Sequence, residues 1–284
     1  MPIRLSRTSP RGRTAWRTSA TPVQTGSLSA EPKVILSRSA IVVAERLARA
    51  RRAAVLTGAG ISAESGVPTF RGGAGALWRT YRPEQLASPD AFSRDPELVW
   101  EWYAHRIGTL QNAAPNAGHR ALVRIEEAVP HFSTITQNVD GLHALAGTRN
   151  VIELHGNIRL TRCIRCGAVE EYRSFESALP YCRCSGLLRP AVVWFGEALP
   201  PGVFERAEAE AADADVFLVA GTSAVVYPAA GLVDIAKAAG AFVVEINSDR
   251  TGVTSTCDVS VRAKAGEFLP LVADALDATR RHLP

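Results

Sequence analysis

The stretch Gly58-Ala59-Gly60-Ile61-Ser62-Ala63-Glu64-Ser65-Gly66-Val67-Pro68-Thr69-Phe70-Arg71-Gly72 decides the fold of this chain. It follows the apolar run Ala53 to Leu56, an order typical of a strand that ends in a phosphate-binding turn. Gly58 and Gly60 allow the backbone to approach a pyrophosphate, and a short helix starting near Ser62 would direct its N-terminal amides at the anion. The stretch predicts a dinucleotide site, although a tight turn without any ligand also uses glycine.

Length and apolar content indicate a globular chain with a sizeable core. The 284 residues suit one large domain or a domain with an insertion, and 46% of them are apolar. No apolar run approaches the roughly 20 residues that span a bilayer. We therefore expect a soluble chain with no membrane partner.

The net charge of +4 comes from an N-terminal tail. Its arginines are Arg4, Arg7, Arg11, Arg13 and Arg17, and it contains no acidic residue before position 31. Without these five charges the remainder carries about −1, so we expect no nucleic-acid partner. Residues 1–35, rich in Ser, Thr and Pro, are predicted to be a disordered basic tail.

Cellular location has two alternatives. An Arg-rich, Ser-rich start without acids also fits a transit peptide and a mitochondrial protein. The chain, however, has 29 Arg, only three Lys and much Ala, which indicates a GC-rich bacterial genome. We predict a bacterial cytoplasmic protein and expect a monomer.

Past the tail, helices alternate with short apolar strands. An amphipathic helix is predicted from about Ser39 to Arg51, before the strand Ala53 to Thr57. The further predicted strands are Phe132 to Thr136, Val151 to Leu154, Asp215 to Ala220, Phe242 to Ile246 and Asp258 to Val261; the further helices lie near Ala117 to Ala128, Pro201 to Ala212, Ala229 to Ala239 and Gly266 to Arg281. Strands buried on both faces and separated by helices predict an α/β fold with a Rossmann-like, doubly wound parallel sheet.

Two segments interrupt this alternation and predict a smaller inserted domain. Residues 73–114 are expected to form its helical part and residues 160–187 its zinc-binding module. Residues 36–72, 115–159 and 188–284 would then build the Rossmann-like domain.

The second insertion contains Cys163-x-x-Cys166 and, after fifteen intervening residues, Cys182-x-Cys184. Two close pairs of thiolates suit a tetrahedral, structural Zn2+, and four cysteines leave no position for a catalytic water. A disulfide framework is the alternative, but it suits secreted chains. Cys257, the fifth cysteine, is expected only to pack.

Polar residues follow two predicted strands. The segment Thr136-Gln137-Asn138-Val139-Asp140-Gly141-Leu142-His143 closes one of them, at the sheet edge where α/β proteins bind ligands. Asn and Asp also form ordinary turns. The strand at Val151 delivers His155 to the same edge, where a neutral imidazole could act as a base, although a lone histidine is more often structural. His105, His119, His131 and His143 are interpreted as structural or surface residues.

Together these motifs resemble the sirtuin family of NAD-dependent protein lysine deacylases over about residues 36–280. The resemblance rests on the glycine-rich stretch, the Gln-Asn-x-Asp motif at 137–140, the Leu-His-Gly at 154–156 and the Cys pairs. It implies that His155 is the general base, with Asn138 as a second catalytic residue. It further implies an NAD site formed by Gly58, Ala59, Gly60, Ala63, Glu64, Thr69, Phe70, Arg71, Trp78, Gln137, Asn138, Asp140, Gly221, Thr222, Ser223, Asn247, Ser248, Asp249 and Ala265.

Roles follow from the same resemblance. Gln137 and Asn138 would contact the nicotinamide ribose and a bound water, and Asp140 the nicotinamide amide. Phe70 would shield the intermediate, and Arg71 would order the cofactor loop. The segment Val193, Trp194, Phe195, Gly196 and Glu197 would pair with an acyl-lysine protein or peptide by β-addition, although an apolar strand could also be plain core.

The acyl group is suggested by Tyr103 and Arg106, which lie three residues apart on one predicted helix face. A phenol and a guanidinium can jointly bind a carboxylate. The pair matches the Tyr-x-x-Arg of sirtuins that remove succinyl, malonyl and glutaryl groups, and weaker deacetylation is expected beside this activity. The products would be nicotinamide, O-acyl-ADP-ribose and free lysine. The alternatives are a predominant deacetylase, a mono-ADP-ribosyltransferase at the same NAD site, a defence NADase and a non-catalytic sensor.

Overall fold

A computed structural model describes residues 32–68, 86–172 and 179–281 as a six-stranded sheet, a three-stranded sheet and the surrounding helices. The strands are β1 Arg52–Thr57, β2 His131–Thr136, β3 Val151–Glu153, β4 Gly156–Cys163, β5 Val169–Glu171, β6 Leu188–Val192, β7 Val216–Ala220, β8 Phe242–Asn247 and β9 Val259–Arg262. The helices are α1 Pro32–Arg49, α2 Ala59–Ser62, α3 Pro89–Arg94, α4 Pro96–Gln111, α5 Ala117–Ala128, α6 Leu142–Ala146, α7 Val203–Ala212, α8 Gly231–Ala238 and α9 Ala265–Arg281.

The larger sheet is parallel throughout, in the order β3-β2-β1-β7-β8-β9. Sequence order reverses between β1 and β7, which are neighbours. This reversal opens a crevice at the carboxyl ends of the two strands, where doubly wound folds bind their ligands. The predicted Rossmann-like fold class is confirmed.

Both faces of this sheet are covered, which explains the apolar strands. Ala53 and Val55 of β1 face a core shared with α1, α5 and α9, whereas Ala54 and Leu56 face a second core shared with α7 and α8. Successive side chains of a strand point to opposite faces. A strand buried on both sides is therefore apolar at most positions, as β1 is from Ala53 to Leu56.

The smaller sheet is antiparallel, with β4 between β5 and β6. It contributes Ile158 and Leu188 to a third core with α3 and α4, whose largest members include Trp100, Tyr103 and Trp194. Helix α4 begins at Pro96, where the Asp95 carboxylate caps it by accepting the Leu98 amide. The aromatic residues of α4 are thus placed against the small sheet.

One strand lies elsewhere than the sequence analysis expected. Residues 188–284 are predicted to lie in the Rossmann-like domain, whereas β6 pairs with β4 in the small sheet. The pairing partner of an apolar strand is a long-range choice, which local pattern does not encode. The division of the chain into domains remains a prediction. Among the described helices, none is long and apolar enough to cross a membrane.

Candidate active site

Two glycine turns meet at the reversal between β1 and β7. The Gly58 and Gly60 amides donate to the carbonyl oxygens of Ala220 (3.2 Å) and Gly221 (2.7 Å). A Cβ on Gly60 would lie 2.7 Å from the Gly221 Cα atom, and one on Gly58 would lie 2.7 Å from the Thr222 Cβ atom. These glycines are therefore required for the two turns to pack together, beyond any approach to a ligand.

The predicted helix start near Ser62 is wrong. Helix α2 begins at Ala59, ends at Ser62 and is followed by a 3-10 turn, Ala63–Ser65. Gly66, in the left-handed conformation at φ 79°, ends that turn. The helix begins earlier because the Gly60 amide pairs with a strand-end turn that is distant in sequence, and the local pattern contains no sign of that bond.

Asn138 and Gln137 bridge these turns. The Asn138 side-chain amide donates to the Gly58 carbonyl oxygen (3.0 Å) and to the Ser62 hydroxyl (3.1 Å). The Gln137 side-chain amide donates to the Thr222 hydroxyl at 2.9 Å. Two residues of the Gln-Asn-x-Asp motif therefore hold the first and second glycine turns, and the structure brings these predicted site residues together.

His155 lies at the same edge, half-buried, with its Nδ1 atom 2.9 Å from the Gln137 carbonyl oxygen. A carbonyl only accepts, so Nδ1 holds the proton and Nε2 keeps a free lone pair. Burial lowers the pKa of His155 below its ordinary value, and the bond to Gln137 partly offsets this effect. A neutral imidazole with a free Nε2 is the form that acts as a base.

Asp140, the last residue of the Gln-Asn-x-Asp motif, is buried, and its carboxylate accepts the Leu142 amide at 2.9 Å. The Arg159 side chain of β4 donates to the Asp140 carbonyl oxygen (2.9 Å). A Cβ on Gly141, which has φ 72°, would lie 3.2 Å from that same side chain. The small sheet therefore braces the Asp140 loop, a contribution of Arg159 that the sequence analysis missed.

Asn116 is a second residue that the sequence analysis missed. It caps α5 through its side-chain oxygen, which accepts the Gly118 amide, and its side-chain NH2 donates to the Ile61 carbonyl oxygen at 2.7 Å and the Ser65 hydroxyl at 3.0 Å. This residue fastens the end of α2 to the rest of the sheet domain. An Asn directly before an amphipathic helix is a typical N-cap, so this role was predictable from the sequence. The bonds from the same side chain to Ile61 and Ser65 were not predictable, because those residues are far away in sequence.

Beneath the site lies a buried pair of histidines. The rings of His119 and His143 are 4.9 Å apart, and the His143 Nε2 atom is 2.9 Å from the Thr57 hydroxyl. Burial lowers the pKa of His119 to about 4 and that of His143 to about 3. Both histidines are therefore neutral at physiological pH, which agrees with the structural role predicted for them.

The turns after β7 and β8 are joined at the other side of the crevice. The Asn247 side-chain amide donates to the Thr222 carbonyl oxygen at 2.8 Å. Ser248 and Asp249 are exposed beyond it, as is Ser223. The exposed Glu64 carboxylate accepts the Gly266 amide at 2.8 Å, next to Ala265. These predicted NAD-site residues thus lie around one rim.

A buried carboxylate holds that rim in place. Glu245 accepts hydrogen bonds from the hydroxyls of Thr251, Thr254 and Ser260 and from the Arg262 guanidinium. Burial alone would raise its pKa, but these bonds keep the pKa of Glu245 below its ordinary value. The carboxylate is therefore ionised, and it fastens the loop that follows Asn247.

The predicted peptide-binding segment starts beside His155. The Val193 amide donates to the His155 carbonyl oxygen (2.8 Å), and the Phe195 amide donates to the Ala87 carbonyl oxygen (3.0 Å). Phe195 and Gly196 are exposed, whereas Trp194 is buried. Glu197 pairs with the buried Arg189 and accepts the Trp194 amide at 2.8 Å. Hydrogen bonds therefore fix this segment to the rest of the protein, while Phe195 and Gly196 remain exposed to solvent.

Tyr103 and Arg106 meet on one face of α4, as predicted. The Arg106 guanidinium lies 5.7 Å from the Tyr103 ring centroid and 4.7 Å from that of Trp102. The Trp194 indole N–H donates to the Tyr103 hydroxyl at 2.8 Å. This bond connects the pair to the segment that bonds His155, and the sequence contains no sign of it because the residues are 91 positions apart.

The four cysteines form one cluster, with all four sulfur atoms within 4.8 Å of one another. Cys163 and Cys184 have their sulfurs 3.5 Å apart, and Cys166 and Cys182 have theirs 3.7 Å apart. Tetrahedral zinc with Zn–S bonds near 2.3 Å separates its sulfurs by about 3.8 Å. The cluster therefore fits a structural zinc ion and is too wide for disulfides.

Four of the predicted NAD-site residues, Thr69, Phe70, Arg71 and Trp78, lie outside the described residues. The roles of the described site residues likewise remain predictions, although their positions are known.

Residues 58–228 match the model of the Sir2 family. The chain is 53% identical over 234 residues to the NAD-dependent protein deacylase 2 of Pyrobaculum aerophilum, covering 82% of this chain and 94% of that protein. It is 50% identical over 233 residues to the NAD-dependent protein deacylase of Thermus thermophilus, covering 80% of this chain and 91% of that protein.

Solved structures agree. A Sir2 homologue in complex with NAD superposes with a TM-score of 0.79 at 49% identity, covering 84% of this chain and 94% of the other. A Sir2 complex with a p53 peptide and NAD+ superposes with a TM-score of 0.73 at 34% identity, covering 81% and 95%. With the family model matching more than half of its length, the chain belongs to the Sir2 family.

Proposed function

We propose that this protein is an NAD-dependent protein-lysine deacylase that removes succinyl, malonyl and glutaryl groups, with weaker deacetylase activity. Relatives about 50% identical over most of the chain are NAD-dependent protein deacylases, which supports the general activity. The acyl preference rests on one observation. The Arg106 guanidinium lies 5.7 Å from the Tyr103 ring centroid, and the Tyr103 hydroxyl accepts the Trp194 indole N–H. Trp194 follows Val193, whose amide bonds the His155 carbonyl oxygen.

A carboxylate is costly to bury without a partner, so an acidic acyl chain needs a cation and a hydroxyl at the closed end of its channel. Arg106 is half-buried, and burial lowers its pKa, an effect that Tyr103 partly offsets. An arginine so placed gains from a carboxylate partner more than an exposed one would. A neutral acetyl group brings no carboxylate to this cation.

The catalytic residues have distinct tasks. NAD supplies an electrophilic ribose carbon once its nicotinamide bond breaks. His155, with Nε2 free, accepts the proton of a ribose hydroxyl. Asn138 and Gln137 hold the two glycine turns that would surround the ribose and phosphates. Asp140, whose carbonyl oxygen accepts a hydrogen bond from Arg159, would recognise the nicotinamide amide.

The peptide binds by β-addition in this proposal. Phe195 and Gly196 are exposed on a segment anchored by the Arg189–Glu197 pair, so an extended peptide can add main-chain bonds there. The zinc ion would be structural, because four thiolates leave no open ligand position.

Mass spectrometry of acylated peptides tests the proposal. The full chain is incubated with succinyl-lysine and acetyl-lysine versions of one peptide, with and without NAD. We expect NAD-dependent loss of both acyl masses, with faster loss of succinyl, and formation of O-acyl-ADP-ribose. A peptide that gains the mass of ADP-ribose would instead indicate the transferase alternative. Cleavage of NAD with no change in the peptide would indicate an NADase.

Replacement of the cation tests the acyl preference. Arg106→Met keeps an unbranched apolar side chain but removes the charged guanidinium, so we expect kcat/KM for the succinyl peptide to fall by roughly 100-fold, as for a lost charged hydrogen bond. Deacetylation should fall much less. Equal losses for the two peptides would contradict the carboxylate clamp while leaving the deacylase activity in place.

A further inference from the structure

A single buried hydrogen bond joins Trp194 to Tyr103, and the two side chains are 3% and 1% exposed. We infer that Trp194 is a specificity-determining positioning residue: its indole N–H turns the Tyr103 hydroxyl so that the hydroxyl proton faces the terminal carboxylate of the acyl chain. This inference rests on the proposed removal of acidic acyl groups and goes beyond it by naming the residue that orients the clamp.

The direction of the bond follows from the chemistry of the two groups. An indole nitrogen carries a proton and has no lone pair to accept with, so Trp194 donates and the Tyr103 oxygen accepts. The hydroxyl has one proton, which must then point away from the indole. Among the described residues Trp194 is the one hydrogen-bond partner of this hydroxyl, so its proton is left for a ligand.

Tyr103 keeps that proton at neutral pH. Burial raises the pKa of its hydroxyl, and the nearby Arg106 only partly offsets this effect. A carboxylate has only acceptor atoms, so it needs a donor from each partner. Tyr103 would give one proton and Arg106 would give the others. A hydroxyl turned the other way would present its lone pairs to the carboxylate, which is repulsive.

Trp194 is held firmly enough by its neighbours to fix the orientation of the Tyr103 hydroxyl. The Arg189 guanidinium lies 3.3 Å from its ring centroid, and the Phe92 ring centroid is 5.2 Å away. Its own amide donates to Glu197 at 2.8 Å. Because the adjacent Val193 amide bonds the His155 carbonyl oxygen, the indole is fixed relative to the reacting end of the site as well.

Trp194→Phe tests the inference by removing the N–H while keeping an aromatic ring. We expect the ratio of kcat/KM for the succinyl peptide to kcat/KM for the acetyl peptide to fall about tenfold, the loss of one buried hydrogen bond to a functional group. Trp100→Phe is the matched control. It removes a buried indole N–H bond of 2.9 Å, to the Leu188 carbonyl oxygen in the same core, and should leave the ratio unchanged.

A double-mutant cycle with Tyr103→Phe separates orientation from packing. If Trp194 acts through the hydroxyl, the Trp194→Phe change has no further effect on the ratio in the Tyr103→Phe background. A ratio that falls again there, or equal losses for both peptides in Trp194→Phe alone, would overturn the inference while the proposed function stands. A wild-type enzyme that does not remove succinyl would overturn the proposed function itself, and the inference with it.

Discussion

At the scale of single residues, the surroundings of His155 determine which nitrogen reacts and at what pH. Its Nδ1 atom is bonded to the Gln137 carbonyl oxygen, and burial lowers its pKa from the ordinary value near 6.5. The neutral, reactive form therefore persists below that pH. A histidine with the ordinary pKa would already be half protonated at pH 6.5.

The pH profile follows from this direction. We predict that kcat/KM for an acylated peptide falls in acid with a midpoint below pH 6.5. The rate drops when His155 becomes protonated, and its lowered pKa moves that protonation to lower pH. The measurement is a profile between pH 5 and 8, with circular dichroism at each pH to show that the protein stays folded. A midpoint at or above 6.5 in a folded protein would contradict the assignment.

At the scale of elements, the two glycine turns are the contact on which the crevice depends. Gly60→Ala would place a Cβ 2.7 Å from the Gly221 backbone, which has no flexible end to move aside. We predict a loss of about 1–3 kcal/mol in stability, seen as a melting temperature lower by several degrees, and NAD binding at least about tenfold weaker.

Gly108→Ala is the control for that change. Gly108 lies within α4. Leaving out its chain neighbours and the nearby backbone of its own helix, none of the described residues has an atom within 4 Å of a Cβ added there. Helix propensity favours alanine over glycine, so this variant should be as stable as the wild type or more stable. If Gly60→Ala binds NAD and melts like the wild type, the turns are not packed as described.

The small sheet is the element that depends on metal. Cys184→Ser removes one of the four sulfurs, so we predict loss of bound zinc and a lower melting temperature as β4–β6 loosen. Zinc content by atomic absorption and thermal unfolding check this outcome. Cys257→Ser, whose thiol lies outside the cluster and donates to the Val253 carbonyl oxygen, should keep a full equivalent of zinc. Zinc retained in Cys184→Ser would show that this sulfur is not a ligand.

At the scale of the whole molecule, the buried histidines link stability to pH. In the unfolded chain His119 and His143 bind protons near pH 6.5, but in the folded protein they do so only near pH 4 and 3. The unfolded state therefore binds more protons in this window, and stability falls as the pH drops from 6.5. At two pH units below 6.5, the loss is roughly 3 kcal/mol for each histidine.

Urea unfolding at pH 7 and pH 4.5 measures this effect. We predict that His143→Gln loses less stability between the two pH values than the wild type does, whatever its stability at pH 7, because one of the two proton sites is gone. An equal loss in both proteins would mean that other groups, such as carboxylates, account for the acid sensitivity.

How much of the molecule was predictable depended on the range of the interactions. The bounds of α5, Ala117–Ala128, were predicted from local pattern because apolar spacing specifies that helix and Asn116 caps it. The six parallel strands were found for the same reason, since each contains a short apolar run between helices, and the central strands β1 and β7 are buried at almost every position. The position of β6 and the bond between Trp194 and Tyr103 could not be found, because both depend on residues far apart in sequence.

The site shows the same division. His155, Asn138 and Asp140 were chosen by residue type and motif, and the structure brings them to one sheet edge. Arg159 and Asn116 were missed, because their contribution is to hold backbone carbonyls of other segments. A side chain that hydrogen-bonds to a backbone carbonyl of another segment is hard to recognise from a sequence motif.

The side-chain amide of Asn138 has a further consequence for the chemistry. Both of its hydrogens are used, one on the Gly58 carbonyl oxygen and one on the Ser62 hydroxyl. What remains for a ligand is the amide oxygen, which can only accept. In this arrangement Asn138 selects among ligand orientations by polarity: it favours a water or sugar hydroxyl that points its hydrogen inward, and it disfavours one that points its lone pairs there.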